Sequence, residues 1–227
     1  MIVLALDTAL GACSAAVTRD GQALAALSEP MTRGHQERLA SLVRETMIEA
    51  GVAFAEVDRI GVTVGPGSFT GLRVGLAFAK GLGLALGKPC IGIGVLEALA
   101  ASNPGQGLTA AVIDAKRGQV YLQIFDSGAA LMAPDALPVE IAAARLAELW
   151  RGGPVRLVGP GAHLLANVAP EIEVLERAAP NPLAICALAA VRPADVPARP
   201  LYLRAPDAKL PGGRDLPSSS EAVGHSE

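Results

Sequence analysis

The stretch from Thr63 to Pro89, TVGPGSFTGLRVGLAFAKGLGLALGKP, constrains the fold more than any other. It is a strand that breaks at a glycine turn into one long helix of mostly small residues. In the turn, Gly65 and Gly67 permit positive φ angles and close backbone approach, Pro66 stiffens the chain, and Ser68 or Thr70 can cap the helix. Free N–H groups at such a terminus can hold an anion. No Gly-Lys-[Ser/Thr] follows, the pattern is not G-x-G-x-x-G, and Lys80 lies nearly three turns into the helix, so a structural cap is the leading reading and phosphate contact the alternative. Within the helix, Gly71, Gly75, Ala79, Gly83 and Gly87 recur every four residues and form a ridge without side chains. Each helical glycine costs about 0.8 to 1 kcal/mol relative to alanine, so the ridge implies close packing on a neighbour. Its spacing suits a second helix crossing near −50°. That neighbour is either in the same chain or in another subunit.

The surrounding pattern is of mixed α/β type. MIVLALDTAL reads as a buried strand, and GACSAAVTRDGQALAALSEP as two more strands joined through Asp20-Gly21. Leu39, Leu42, Val43, Met47 and Ala50 make HQERLASLVRETMIEA an amphipathic helix stopped by Gly51. VDRIGVTVG, the glycine helix and KPCIGIGVLEALAAS then give strand, helix, strand and helix, a mixed sheet faced by helices. A second unit begins near Asn103 and partly repeats the first, with two strands joined across Ala115 to Gly118. The expected division is a first lobe at 1–102 and a smaller α/β lobe at 103–204, whose last segment can pack back on the first, followed by a mobile tail at 205–227.

Composition narrows the function. Hydrophobic residues make up 51% of the 227 and charged ones 18%, which demands an extensive interior or apolar surface covered by a partner. The net charge of −3 gives no strong basic footprint, so any RNA is expected to be gripped by another subunit. No apolar run approaches about 20 uncharged residues and no basic region precedes the apolar start, which leads to the expectation of a soluble cytoplasmic protein. Cys13, Cys90 and Cys186 are far apart in apolar segments and read as buried reduced thiols. His35, His163 and His225 are scattered, no H-E-x-x-H occurs, and neither Ser14 nor Ser68 has an identifiable His partner. The expectation is no metal, no cofactor and no catalytic residue.

Taken together and in order, LALDTAL, GPGSFTGLRVGLAFAKGLGLALGKPCIGIGVLEALA, DAKRGQVYLQIF and PLYLR closely resemble the TsaB family, also called YeaZ, over about residues 1–204. The resemblance implies an actin-like ATPase-type (ASKHA, ribonuclease H-like) fold of two related lobes. It also implies a part in making threonylcarbamoyladenosine at position 37 of tRNAs. Members are regarded as non-catalytic partners of the homologous TsaD. In that scheme TsaC makes threonylcarbamoyl-AMP, TsaD transfers the group to tRNA, and the ATPase TsaE joins the TsaD–TsaB pair. The tRNA would be reached through TsaD, and a homodimer could form when the chain is alone, with no membrane involved. In TsaD-like chains two metal-binding histidines follow the glycine helix; the matching VLEAL places Val95 and Leu99 there, so a metallopeptidase (M22-type) role does not carry over.

The resemblance further implies that the first two helices pair with the same helices of TsaD or of a second copy. The interface expected on that basis comprises His35, Arg38, Leu42, Gly71, Gly75, Phe78, Ala79 and Leu82. A vestigial nucleotide loop would comprise Asp7, Thr8, Gly65, Gly67, Ser68 and Asp114, with Asp7 as a structural turn residue. Ala115, Lys116 and Arg117 stand where TsaD-like chains have glycines. The competing reading is a weak ATPase using Asp7, the amides around Gly67 and Asp114. Trp150 is expected to anchor the core of the second lobe or a helix end.

Overall fold

The computed structural model describes residues 1–168, 171–195 and 197–204. The segment expected to be a mobile tail lies outside them.

A run of apolar residues opens the chain as strand β1 (Ile2–Asp7), which is buried on both faces. It pairs antiparallel with β2 (Ala12–Arg19), and β2 with β3 (Gln22–Pro30), through the Asp20-Gly21 turn read from the sequence. Helix α1 (His35–Glu49) leads by a short 3-10 turn to β4 (Arg59–Gly65), which lies parallel to β1. Helix α2 (Phe69–Leu86) is the crossover from β4 to the parallel β5 (Cys90–Gly94). The first sheet therefore has the order β3-β2-β1-β4-β5.

Helix α3 (Val95–Ala101) passes to the second lobe, where β6 (Leu108–Lys116) and β7 (Gln119–Asp126) pair antiparallel. The short β8 (Ala129–Ala130) and β9 (Asp135–Pro138) both pair with β7; the sequence pattern shows neither. Helix α4 (Val139–Leu149) precedes β10 (Val155–Val158), and a 3-10 turn precedes β11 (Ile172–Leu175). Strand β10 lies parallel to both β6 and β11, giving β11-β10-β6-β7-β8. With β6 in the place of β1, this is the order of the first sheet read from its other edge. Each lobe is one copy of the same plan.

The alternation of β1 sorts its two faces. Leu4 and Leu6 pack with Leu39, Leu42 and Met47 beneath α1 and α2. Val3 and Ala5 pack with Ile185, Cys186 and Ala189 of α5 (Pro182–Val191) on the opposite face. The chain thus returns to the first lobe after the second is complete. Arg59 holds α5 there by donating to the carbonyls of Ala189, Ala190 and Arg192, where the helix ends. Arg192 in turn donates from Nη2 to both carboxylate oxygens of Glu97 of α3, at 2.5 and 2.7 Å, and from Nη1 to Gly92 O at 3.0 Å. Between the lobes, Leu96 and Leu99 of α3 pack against Ala111, Ile113 and Phe125.

Candidate functional site

The glycine ridge of α2 faces the sheet of its own chain. A Cβ on Gly71 would stand 2.0 Å from the Thr8 carbonyl oxygen, and one on Gly75 would stand 2.5 Å from Thr8 Oγ1, so neither position tolerates a side chain. Thr8 Oγ1 donates to Gly71 O at 2.7 Å, and Ser68 N donates to Ala9 O at 2.8 Å. These two bonds sew the β1–β2 loop to the start of α2. Of the neighbours the ridge could meet, a helix or the sheet of its own chain or another subunit, the close one is the strand end and loop beneath it. The sequence shows the spacing but not which layer fills it.

This packing also relocates the expected interface residues. Leu42, Gly71, Gly75 and Ala79 are buried inside the chain and cannot touch a partner while it stays folded. His35 begins α1 but points inward, with Nε2 buried and without a hydrogen-bond partner. Arg38 is held between Glu29 of β3 and Glu45 of α1 by paired bonds of 2.5 to 2.8 Å, a clamp that fastens the helix to the sheet edge. Its hydrogen bonds hold both carboxyls below the ordinary glutamate range. Of the apolar residues in the expected set, only Phe78 and Leu82 are partly exposed, and both also pack on the core beneath α1 and α2.

The outer face of α2 runs through Thr70, Arg73, Ala77 and Leu84, all exposed. With α1 it forms an open groove of about 500 Å³ lined mainly by Gln36, Leu39, Arg73, Val74, Ala77 and Phe78. Helix α2 is 18 residues long and apolar enough to cross a membrane by length and composition, yet it is the crossover between two parallel strands and stays against the sheet. Only 33% of it is buried in the chain. Arg73 and Ala77 on this face could have been found from the sequence, since a residue two positions beyond a ridge glycine lies about 200° around the helix.

The side chains expected to form a nucleotide loop make hydrogen bonds inside the chain. Asp7 Oδ1 accepts from Thr63 Oγ1 at 2.6 Å and from Ala9 N at 3.1 Å, as a turn residue does. Its Oδ2 is buried without a partner, and burial pushes the carboxyl above its usual range despite those bonds and the nearby His35. Ser68 caps α2 by accepting from Gly71 N at 3.2 Å. A Cβ on Gly67 would meet Ala9 O at 2.4 Å, and one on Gly65 would meet Leu201 O at 2.5 Å. In the second lobe Asp114 accepts from Lys116 N at 2.8 Å and Lys116 Nζ at 2.6 Å. The Thr8, Ser68 and Asp114 side chains and Asp7 Oδ1 are thus held inside the chain, an arrangement that does not fit side chains kept to hold a nucleotide's phosphates.

Among the described residues no group of three or more His, Cys, Asp or Glu could hold a metal ion. Val95 and Leu99 are buried in the core between the lobes. Cys13 and Cys186 are buried, whereas Cys90 is only half-buried, a correction to the expectation of three buried thiols. Burial pushes the Cys13 thiol up to about 11 and Cys186 to about 12. Trp150 ends α4, packs on the second core and donates from Nε1 to Gly153 O at 3.0 Å.

Two lobes of one topology joined by α3 define a protein of the actin-like ATPase fold. A hexokinase of the ROK family from Thermus thermophilus has that fold at TM-score 0.53 and 16% identity, covering 84% of this chain and 99% of its own. YeaZ from Pseudomonas aeruginosa superposes at TM-score 0.76 with 32% identity, over 89% of this chain and 99% of that one. A Mycobacterium tuberculosis protein of undescribed function is 36% identical over 212 residues, 91% of this chain and 93% of its own. The tRNA threonylcarbamoyladenosine biosynthesis protein TsaB of Escherichia coli is 36% identical over 124 residues, about half of each chain at 53%. The profile of the tRNA N6-adenosine threonylcarbamoyltransferase family, TsaD, matches residues 28–149. The chain belongs to the TsaB/YeaZ family.

Proposed function

We propose that this protein is the non-catalytic partner of a TsaD-type threonylcarbamoyltransferase in tRNA modification, docking through the outer faces of α1 and α2. The observation that carries the reading is α2 itself: an apolar helix of 18 residues only 33% buried in its own chain, beside an open groove. The TsaD profile spans both helices and the crossover, so the expected partner carries the same two-helix layer and can meet it face to face. The inward pairing of Asp7, Thr8, Ser68 and Asp114 supports a chain that acts on its partner's conformation. TsaE would join the assembled pair, TsaC would supply threonylcarbamoyl-AMP, and a homodimer through the same face would form when TsaD is absent. Such a protein works in the cytoplasm with its tRNA.

The test is threonylcarbamoyladenosine formation on a substrate tRNA by purified TsaC, TsaD and TsaE with and without this protein. Modification is expected to require the chain. Leu84→Glu, at a position 86% exposed, is expected to stay folded yet fail to support modification. Equal modification without the chain would overturn the reading.

A further inference from the structure

Helix α2 carries two cations and no carboxylate: Arg73 and Lys80 are its only charged residues. Seven residues apart, they stand within about 20° of one another around the helix, on one exposed stripe with Ala77 and Leu84. Among the described residues neither forms an ion pair. The Arg73 guanidinium instead lies 3.6 Å from the centre of the Phe69 ring, which the Tyr202 ring backs at 5.5 Å. Tyr202 lies in the closing segment that Leu201 fastens to β4 by donating its N–H to Val64 O at 2.7 Å. Arg73 is thus oriented among the groove residues before any partner arrives, which lowers the cost of ordering it on binding. Its own chain offers it no carboxylate: Glu29 and Glu45 are taken by Arg38, and Glu37 and Glu49 on the exposed side of α1 pair with neither cation.

We infer that the α1–α2 face is matched to an acidic partner surface, whose carboxylates pair with Arg73 and Lys80 beside the apolar contact, and that this charge selects a TsaD-type partner over a second copy of the chain. The inference rests on the docking reading above and adds to it the chemistry of the occupant. Opposite charges across an interface fix register and speed encounter, whereas like charges set against each other oppose the wrong pairing. A second copy meets that opposition. In a two-fold contact each patch faces itself, so α2 packed on α2 would bring Arg73 and Lys80 against their own repeats. Crossing α2 onto the α1 of a second copy would offer Glu37 and Glu49, about 18 Å apart along the helix against about 10 Å between the two cations, with the exposed Arg44 between them.

The test is the association rate and affinity of the full chain for purified TsaD across a series of salt concentrations, with light scattering on the chain alone. Wild type is expected to associate more slowly as salt rises. Lys80→Glu leaves the Phe69 stack untouched and is expected to weaken the complex at least about tenfold, mainly through slower association. The uncharged Arg73→Gln/Lys80→Gln pair is expected to lose most of the salt dependence. In the chain alone, Lys80→Glu is expected to strengthen self-association, because the new carboxylate can meet Arg73 of the other copy. Binding and salt dependence unchanged in both variants, while Ala77→Glu abolishes the complex, would overturn this inference and leave the docking reading standing. Self-association weakened by Lys80→Glu as much as TsaD binding would make a second copy the acidic occupant and overturn it too. No complex with TsaD at low salt would overturn the docking reading and this inference together.

Discussion

Asp7 shows how a residue inherited with a fold can be kept for structure. Its Oδ1 organises the turn by accepting from Ala9 N and Thr63 Oγ1, while Oδ2 is buried unpaired. A carboxyl whose folded pKa is raised above 3.8 binds more protons folded than unfolded, so its contribution to stability falls as pH rises from that value through the folded pKa. Asp7→Asn keeps the acceptor and removes the charge. It is expected to raise stability at neutral pH, because it removes the buried charge while Nδ2 takes the unpaired place of Oδ2. Thermal melts at several pH values would check this: the gain should vanish in acid, where Asp7 is already neutral. An unchanged melting temperature at neutral pH would mean that the carboxylate is satisfied by a group such as His35, whose Nε2 is also buried and unpartnered.

At the scale of elements, α1 and α2 are fastened by different means. The Arg38 clamp joins α1 to β3 through Glu29 and Glu45, whose carboxyls are depressed by their bonds to the guanidinium. A depressed carboxyl stabilises above its unfolded value of 4.5 and loses that contribution as pH falls through the folded pKa. Arg38→Met is therefore expected to flatten the acid limb of the stability curve below that value, measurable by urea unfolding across pH. Helix α2 is fastened by absence of side chains. Gly75→Leu is expected to destabilise by about 3 kcal/mol or more, as overpacking against a fixed strand end does, and calorimetry would show it as a fall in melting temperature. That variant tests folding and says nothing about a partner.

The same helix shows what is legible in the sequence. The turn, the cap at Ser68 and the four-residue ridge are all readable, because backbone freedom and helical spacing are local properties. Hairpins at Asp20-Gly21 and between β6 and β7 are readable for the same reason. The ridge's neighbour is not, since Thr8 lies more than sixty residues from Gly71 and only the register of β1 beside β4 brings them together. The inward turn of His35 is not readable on the same ground: a polar residue at a helix start reads as exposed, and nothing near it in the sequence encodes its burial. Strands β8 and β9, of two and four residues, carry too few positions for any alternation to appear.

At the scale of the whole molecule, duplicated lobes, inward-paired loops and an uncovered apolar helix fit a docking protein. The loops that serve a ligand in an actin-like fold here hold the β1–β2 turn, α2 and the closing segment together, and the face left over is the outer side of α1 and α2. The partner's shared plan would let that face be met by its counterpart. The most direct measurement is size exclusion with light scattering on the chain mixed with TsaD, comparing wild type with Ala77→Glu, an exposed groove position whose variant should melt as wild type does. A stable complex is expected for wild type and separate elution for Ala77→Glu, since a buried unpaired charge at an interface costs several kcal/mol. Co-elution of Ala77→Glu with TsaD as tight as wild type would contradict docking through this face.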